Sequence, residues 1–308
     1  MKTRLVFAWL LAGMAWGPAA EGQDESPLAL EGPGLNLPWT NSLGMVFEPV
    51  EGLDGTLFCA WETRVRDFRA FVEDRDNNEG YDYRAGAKPF ILTADGEKAQ
   101  GWDQGWFHPG FEQSDDHPVV CVSWEDAQAF CAWLTRVERS SKKIGPDRAY
   151  RLPRDWEWSV AAGLKESRTG SPADKNAKMA GAYPWGRDSL PPPGWGNYAG
   201  EESRIEMDGK PAEDWKVIAG YRDSHPRTSP VGFYGARNGA LCDMGGNVWE
   251  WCEDRLDPEK LPRVARGGSW WDWDPRFLES STRNGEYPMG RQSVVGFRVV
   301  LAADKILT

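Results

Sequence analysis

Hydrophobic side chains recur at helical spacing in two stretches of the first half of the chain. The first stretch follows Thr63, which we expect to cap a helix. The residues of its apolar face are Val65, Phe68, Phe71 and Val72. The second stretch follows Ser123, and Asp126 three residues later completes the pattern of a capping box. The inner face of this helix, at positions i, i+3, i+4 and i+7, contains Ala127, Phe130, Cys131 and Leu134.

Elsewhere the pattern alternates between short apolar runs and long polar segments. A strand is predicted from Met45 to Pro49, and a third helix after Pro153, with Trp156, Val160 and Ala161 on its inner face. Residues 74–116 and 164–230 carry little regular period, so long loops are predicted there. Further short strands are expected around Trp249, Val264 and Phe297. Few helices, short strands and much irregular backbone predict an α+β fold class.

The N-terminus combines basic residues with an apolar run. Lys2 and Arg4 precede the run 5–16, and small residues follow up to Ala20. This order is typical of a secretory signal peptide, and the run is shorter than the ~20 residues that span a bilayer. We therefore expect a signal peptide at 1–20, a flexible leader at 21–37, and an exported protein, periplasmic or extracellular, that does not span a membrane.

The amino-acid composition limits the kinds of molecule and metal ion that the protein is expected to bind. The chain has 308 residues, 40% of them hydrophobic, with 18 Trp and a net charge of −11. Nucleic acid is excluded as a partner because phosphate binding needs clustered Lys and Arg. The five cysteines are Cys59, Cys121, Cys131, Cys242 and Cys252. None forms a Cys-x-x-Cys pair, so no structural zinc site is expected, and Cys131 is predicted to be a buried small hydrophobe.

Two blocks near the C-terminus, residues 241–252 and 266–273, combine four glycines with five tryptophans. Glycine is needed where φ is positive or where the backbone approaches another group closely. Indole rings bury a large area, and each carries one N–H that needs a partner. The blocks predict a densely packed irregular core in which Gly245 and Gly246 turn carbonyls inward. The alternative interpretation is an ordinary turn between two strands.

These blocks, Asp-Met-Gly-Gly-Asn-Val-Trp-Glu-Trp (243–251) and Arg-Gly-Gly-Ser-Trp (266–270), resemble the C-terminal half of the formylglycine-generating enzyme, or sulfatase-modifying factor, family. Other motifs of the family follow in order: Gly-Met-Val-Phe from 44, Trp-Glu-Thr-Arg-Val from 61, His-Pro-Val-Val-Cys-Val-Ser-Trp from 117, Tyr-Arg-Leu-Pro-Arg-Asp-Trp-Glu-Trp from 150, Tyr-Pro-Trp-Gly from 183, Gly-Asn-Tyr-Ala from 196 and Gly-Phe-Arg-Val from 296. The resemblance covers 38–303, leaves 304–308 as a tail, and implies an irregular C-type-lectin-like fold.

The resemblance also implies one or two structural calcium ions, which take 6–8 oxygen ligands. One site would use the side chains of Asn197 and Asp223 with the carbonyls of Tyr198 and His225. The other would use Glu250 with the carbonyls around Gly245, Gly246 and Val248. The alternative is that Asn197 and Asp223 make ordinary turn hydrogen bonds.

The family's oxidase chemistry needs two copper-binding cysteines, three and eight residues after the serine of the Gly-Gly-Ser block. Those positions are Asp272 and Phe277, and no cysteine follows Cys252. Because soft thiolates select copper(I), no copper is expected. A related branch holds iron with three histidines, but this chain has only His108, His117 and His225, without a His-x-x-x-His pair. No iron is expected either.

The remaining candidates surround the changed thiol positions. A groove lined by Trp249, Trp270, Trp273 and Arg276 is predicted to bind an extended peptide, an exported protein or a glycan. Ser269 and Asp272 are the catalytic candidates. Asp272 would act as a general base if burial raised its pKa, and the alternative is a solvated carboxylate. Whether the protein is an enzyme stays open. The hypotheses are a binding module, an enzyme of altered chemistry on a peptide or small metabolite, and formylglycine generation on an exported sulfatase.

Overall fold

Two small sheets organise the chain in the computed structural model, which describes residues 36–92, 98–204 and 216–304. The predicted signal peptide, nearly all of the leader, most of the acidic stretch 200–216 and the tail after Asp304 lie outside the described residues. The strands, β1 to β13 in chain order, are Trp39–Thr40, Val46–Pro49, Thr56–Cys59, Phe90–Leu92, Lys98–Gln100, Arg148–Arg151, Ala236–Asn238, Leu241–Cys242, Trp249–Arg255, Arg263–Arg266, Asn284–Glu286, Val295–Gly296 and Val300–Ala303. The helices, α1 to α5, are Val65–Glu73, Trp124–Ser140, Asp155–Ala161, Pro172–Lys175 and Pro275–Leu278.

The larger sheet has five antiparallel strands in the order β1-β2-β3-β13-β6. The smaller has four in the order β11-β10-β9-β12, with β12 parallel to β9. Two hairpins, β4-β5 and β7-β8, complete the strands. Five α-helices, of which only α2 is long at 17 residues, occur with short strands and long loops within the described ranges and confirm the α+β prediction. No helix in these ranges is long and apolar enough to cross a membrane.

The caps of the first two helices show how far local sequence decides structure. In α2 the Ser123 hydroxyl accepts from Asp126 N at 3.0 Å, and the Asp126 carboxylate accepts from Ser123 N at 2.8 Å, so the predicted capping box is confirmed. In α1 the N-cap is Arg64 and not Thr63. The reason is Asp67, whose carboxylate accepts both the Arg64 backbone N–H (3.0 Å) and its guanidinium (2.8 Å).

The segment 74–116 is more ordered than its sequence indicates. It contains the hairpin β4-β5 and buries Tyr83 and Trp106, so only part of it is the long loop that the sequence predicts. The Tyr83 hydroxyl donates to Cys121 O at 2.7 Å. Its ring lies 3.9 Å from the Arg291 guanidinium carbon. Contacts with residues more than 35 positions away order this segment, and a local pattern cannot show them.

The core forms where α1 and α2 meet the sheets. Phe68 of α1 and Phe130 of α2 stack with ring centroids 6.2 Å apart, and Phe297 packs edge-on against both. Cys131 is buried in the same cluster, as predicted. The stretch from Phe297 into β13 therefore links the helices to the centre of the larger sheet. Because β9 and β10 are antiparallel, the Gly-Gly-Asn segment before β9 and the Gly-Gly-Ser segment after β10 lie side by side, and Gly246 N donates to Gly267 O at 2.9 Å.

Candidate functional site

The Gly-Gly-Ser segment leaves β10 in a tight turn that is closed by a carboxylate. Gly267 and Gly268 both have positive φ. The Asp272 carboxylate accepts the Ser269 backbone N–H at 2.8 Å and the Ser269 hydroxyl at 2.7 Å. Both residues are buried, and burial raises the Asp272 pKa from its ordinary value of 3.8 to about 6, against the opposing effect of these hydrogen bonds. Asp272 is therefore a desolvated carboxylate and not a solvated one.

The predicted tryptophan groove divides into buried and exposed members. Trp249 and Trp270 lie in the interior, and Trp270 donates its indole N–H to Ser293 O at 3.1 Å. Their burial removes these two rings from any open platform. Trp273 and Arg276 lie at the surface, with exposed fractions of 37% for Trp273 and 81% for the Arg276 side chain.

Phe277, at the second thiol position, joins this surface. The residue is 42% exposed, and its ring packs edge-on against the buried Trp249 with centroids 6.4 Å apart. The Lys216 ammonium lies 4.7 Å from the Trp273 ring centroid. Arg276 pairs with Asp274, the N-cap residue of α5. We call the exposed group Trp273, Arg276, Phe277 and Lys216 the aromatic surface.

The Gly245-Gly246 turn is required by close packing. A methyl group on Gly245 would lie 2.5 Å from the Pro184 ring, and one on Gly246 would collide with Asn197 O. Asn247 N donates to the same Asn197 oxygen at 2.7 Å. The turn thereby brings the two predicted calcium loops into direct contact. Within the described ranges no backbone N–H donates to the carbonyls of Gly246 or Val248.

Glu250, predicted as a calcium ligand, has a different partner. Its carboxylate accepts from the Arg298 guanidinium at 2.7 Å and from Trp158 Nε1 at 2.8 Å, and all three side chains are buried. Two further carboxylates, Glu62 and Asp243, lie in the same electrostatic cluster, and burial raises both of their pKa values. One Glu62 oxygen accepts from Asn247 Nδ2 at 3.1 Å, whereas Oε2 is buried without a partner in the described structure.

The Asn197 loop gathers a second carboxylate pair. Asp223 accepts from Tyr198 N at 2.8 Å and from His225 N at 3.0 Å. Burial, followed by a hydrogen bond with Glu202, raises the Asp223 pKa to about 8. Glu202 Oε1 accepts from Asp223 N at 2.5 Å. Asn197 Oδ1 and Glu202 Oε2 are buried without partners in the described structure.

Sequence reasoning missed Glu62, Glu202 and Asp243. The motifs Trp-Glu-Thr and Asp-Met-Gly-Gly contained two of them, but nothing in the local pattern marked these carboxylates as buried. No cluster of three or more His, Cys, Asp or Glu side chains in the described ranges is arranged to hold a metal ion. Any cation here would depend on backbone carbonyls and amide oxygens as well.

The histidines do not come together as a group of three. His117 and His225 line one cleft of about 530 Å³, whereas His108 contacts Asp103 O at 3.4 Å and does not line it. Burial lowers the pKa of His117 to about 4 and lowers that of His225. All five cysteines are free and buried, and burial raises the pKa of each thiol.

Known proteins resemble this chain over most of its length. The family described as sulfatase-modifying factor enzyme 1-like domain matches residues 59–303. The inactive C-alpha-formylglycine-generating enzyme 2 of Bos taurus is 30% identical over 205 residues, which are 64% of this chain and 54% of that protein. The formylglycine-generating enzyme of Thermomonospora curvata is 30% identical over 183 residues, or 52% of this chain and 48% of that protein. The chain thus spans about half the length of these curated relatives.

A solved structure shows the same fold. PvdO from Pseudomonas aeruginosa superposes with a TM-score of 0.50 at 19% identity, covering 84% of this chain and 82% of that one. At this identity the likeness concerns the fold alone, and it agrees with the irregular architecture expected from the motifs.

Proposed function

The chain belongs to the family of sulfatase-modifying factor enzyme 1-like domains, and from that premise we propose that it is a peptide-binding member without copper-dependent oxidase activity. The observation that carries the proposal is the Ser269–Asp272 turn. At the first thiol position the chain has a carboxylate that holds two Ser269 hydrogen bonds, and at the second it has Phe277. The Bos taurus relative is itself named as inactive, so loss of the activity has a precedent in the family.

The other cysteines offer no substitute. Copper(I) needs thiolates, and a buried thiol resists ionisation because the charged form loses its hydration. Burial raises the pKa of Cys242 to about 11 and that of Cys59 to about 12. Neither Cys242 nor Cys59 lies beside the Gly-Gly-Ser turn in sequence. These observations favour a protein that keeps the family's fold and lacks its metal chemistry.

The aromatic surface is the part of the predicted groove that supports ligand binding. Trp273 and Phe277 expose large faces beside two cations, Arg276 and Lys216. Aromatic rings with nearby polar groups are enriched at sites that bind peptides. The Phe277 ring packs edge-on against the buried Trp249. An extended peptide with apolar side chains and an acidic residue fits this surface, and the protein's exported partners would supply such segments.

Two assays test the proposal. Copper titration and oxygen consumption with a cysteine-containing peptide should show no stoichiometric copper binding and no turnover. Screening of peptide and glycan arrays should give peptide ligands that Trp273→Ala weakens at least about tenfold, as expected for an interface hot spot. Tyr287→Ala, which changes another exposed aromatic ring, is the control. Copper-dependent oxidation would favour formylglycine generation on an exported sulfatase, and glycan ligands alone would contradict the peptide assignment.

One observation favours an enzyme of altered chemistry as the second candidate. Ser269 Oγ donates to a carboxylate whose pKa is raised to about 6, which is a suitable arrangement for a general base. Under this alternative, Asp272→Asn abolishes turnover of a peptide or small metabolite. Under the binding function, the same variant leaves the affinity of the aromatic surface within about twofold.

Calcium as a structural cofactor is supported by unpartnered oxygens. Glu202 contacts Asp223, and Tyr198, which follows Asn197, donates its backbone N–H to the Asp223 carboxylate. Asn197 Oδ1 and Glu202 Oε2 are buried without hydrogen bonds, which is costly unless a cation or water contacts them. We assign the first site to Asn197, Asp223 and Glu202, and the second to Asp243, Glu62 and the Gly246 and Val248 carbonyls. Elemental analysis should give one or two calcium ions per chain and no copper or iron. EDTA should lower the Tm of the wild type more than that of Asp223→Asn.

Export is proposed from the N-terminal segment alone. Its basic start, apolar run and small residues predict cleavage after Ala19 or Ala20. N-terminal sequencing of protein recovered from the periplasm or the medium is the test. A chain that retains Met1 in the cytoplasm would contradict export.

A further inference from the structure

The cleft of about 530 Å³ lies beside Trp270 and shares no residue with the aromatic surface. Its lining includes Phe111, His117, His225, Arg227 and Thr228. Phe111 packs edge-on against Trp270 at 5.4 Å, and the Arg227 guanidinium carbon lies 5.0 Å from the same ring. The buried Trp270 ring thus packs against two of the residues that line the cleft. The two imidazole rings that line the cleft belong to His117 and His225, and they are the groups that a ligand there would contact.

The hydrogen bonds of Tyr234 fix the tautomer of His225. The Tyr234 hydroxyl contacts the carbonyl oxygen of Asp223 and Nδ1 of His225, each at 3.1 Å. A carbonyl only accepts, so the single hydroxyl hydrogen goes to Asp223 O. The contact with His225 is then favourable only if its Nδ1 carries hydrogen and donates. His225 therefore presents an unprotonated Nε2 with a free lone pair.

A second chain of hydrogen bonds fixes His117 in the opposite tautomer. Gln113 Nε2 donates to the Pro118 carbonyl at 2.9 Å, which orients the amide, and donates also to Thr228 Oγ1 at 2.9 Å. The buried Thr228 hydroxyl then has its own hydrogen to donate, and its remaining partner in the described structure is His117 Nδ1 at 2.9 Å. An unused buried donor would cost about 1–3 kcal/mol. His117 Nδ1 therefore accepts, and its Nε2 carries the hydrogen.

The two imidazoles thus offer one donor and one acceptor to the same cleft. Neither Nε2 has a hydrogen-bond partner among the described residues. From this pairing we propose that the cleft between His117 and His225 binds a ligand through a carboxamide, such as the side chain of a glutamine or an asparagine. The amide oxygen accepts from His117 Nε2–H, and one amide hydrogen is donated to the His225 Nε2 lone pair.

The same arrangement selects against other groups. A carboxylate would set a second acceptor against the His225 lone pair, and an ammonium would set a donor against the His117 N–H. A metal ion would need lone pairs on both Nε2 atoms, whereas the lone pair of His117 lies on Nδ1, where Thr228 uses it. A site built to match donors and acceptors rejects a mismatched group strongly, because buried polar atoms are left unpaired.

Nitrogen-detected NMR of the histidine rings in the full chain tests the tautomers directly. At pH 7 the long-range ¹H–¹⁵N spectrum should show His117 protonated on Nε2 only and His225 on Nδ1 only. The tripeptide Gly-Gln-Gly should shift both Nε2 resonances and bind at least about tenfold more tightly than Gly-Glu-Gly. Identical tautomers, or equal affinity for the two tripeptides, would overturn the proposal. Zinc that titrates both rings while Gly-Gln-Gly leaves them unchanged would overturn it in favour of a metal site.

Two variants separate the hydrogen-bond chains from the general shape of the cleft. Tyr234→Phe removes the group that holds His225 Nδ1–H, and Thr228→Val removes the donor to His117. Each should reduce the Gln-over-Glu preference to within about twofold. Glu112→Gln, which changes the charge of an exposed lining residue, should keep the preference, and its loss there would show that charge and not tautomer decides selection. The wild-type NMR result decides the matter even where a variant does not fold, and none of the varied residues belongs to the aromatic surface.

Discussion

The buried carboxylate of Asp272 makes stability depend on pH in an unusual direction. Its pKa is raised from 3.8 to about 6 by burial, so the folded state binds a proton more tightly than the unfolded chain does. Between these two values the folded protein holds more protons, and stability therefore falls as pH rises. Each pH unit of separation corresponds to about 1.4 kcal/mol. Ionisation of Asp272 alone should therefore lower the free energy of unfolding by about 3 kcal/mol at pH 7 relative to pH 4.

Asp272→Asn isolates this contribution from those of the other carboxylates. The amide oxygen still accepts from Ser269, but the side chain no longer ionises. Urea unfolding of wild type and variant at pH 4, 5, 6 and 7 gives the difference in the free energy of unfolding. As pH rises from 4 to 7, we expect the free energy of unfolding of the variant to increase relative to that of the wild type by about 3 kcal/mol in total. Asp274→Asn is the control: the hydrogen bond from Arg276 lowers the pKa of Asp274 below its ordinary value of 3.8, so its contribution changes with pH only near and below that value and the difference should stay nearly constant from pH 5 to pH 7.

A difference for Asp272→Asn that stays flat from pH 4 to pH 7 would refute the reasoning. It would mean that water or a cation reaches the carboxylate and that its charge costs nothing in the folded state. A difference that falls with pH would show that the Ser269 hydrogen bonds outweigh burial.

Three further predictions concern the interior. Gly246→Ala should destabilise the fold by about 2–4 kcal/mol in urea unfolding because its methyl group would collide with Asn197 O. Gly44→Ala is the control, because open space surrounds Gly44, and it should cost about 1 kcal/mol. Equal losses of stability would contradict the close approach of Gly246 to Asn197. Glu62→Gln should be neutral or stabilising by about 1 kcal/mol at pH 8 in EDTA and destabilising with calcium, and the same sign in both would remove Glu62 from the cation site. A thiol reagent should label none of the five cysteines in the folded protein and all five after unfolding, and labelling in the folded state would contradict their burial.

Sequence predicted those features of the fold that depend on neighbours along the chain. The α2 cap needs only Ser123 and Asp126, three residues apart, and it formed as expected. The α1 cap moved by one residue because Asp67 binds the Arg64 backbone and side chain together. The pattern of apolar positions does not show which of two adjacent polar residues is the N-cap. It therefore cannot predict that the N-cap is Arg64 and not Thr63.

The candidate site was harder to predict because its residues are defined by burial. Trp270 and Trp273 are three positions apart in one block, yet one is in the core and the other at the surface. Nothing in the local composition separates them, since the deciding contact of Trp270 is with Ser293 O. Glu62 and Asp243 are ordinary acidic residues in sequence. They became notable only because folding brought both, 181 positions apart by their numbers, close to the same buried cation, Arg298.

The Ser269–Asp272 turn also determines how the loss of the thiol could be reversed. A cysteine at position 272 would supply one copper ligand, but a thiol sulfur is a weak acceptor and would leave the Ser269 N–H and hydroxyl without their partner. Each lost bond to a charged group is worth about 1.5–3 kcal/mol. Asp272→Cys with Phe277→Cys should therefore fold less stably and hold copper poorly. In this chain Asp272, at the position of the family's thiol, is the acceptor that closes the turn. A substitution that supplies a copper ligand at position 272 therefore also removes the hydrogen bonds that hold the turn.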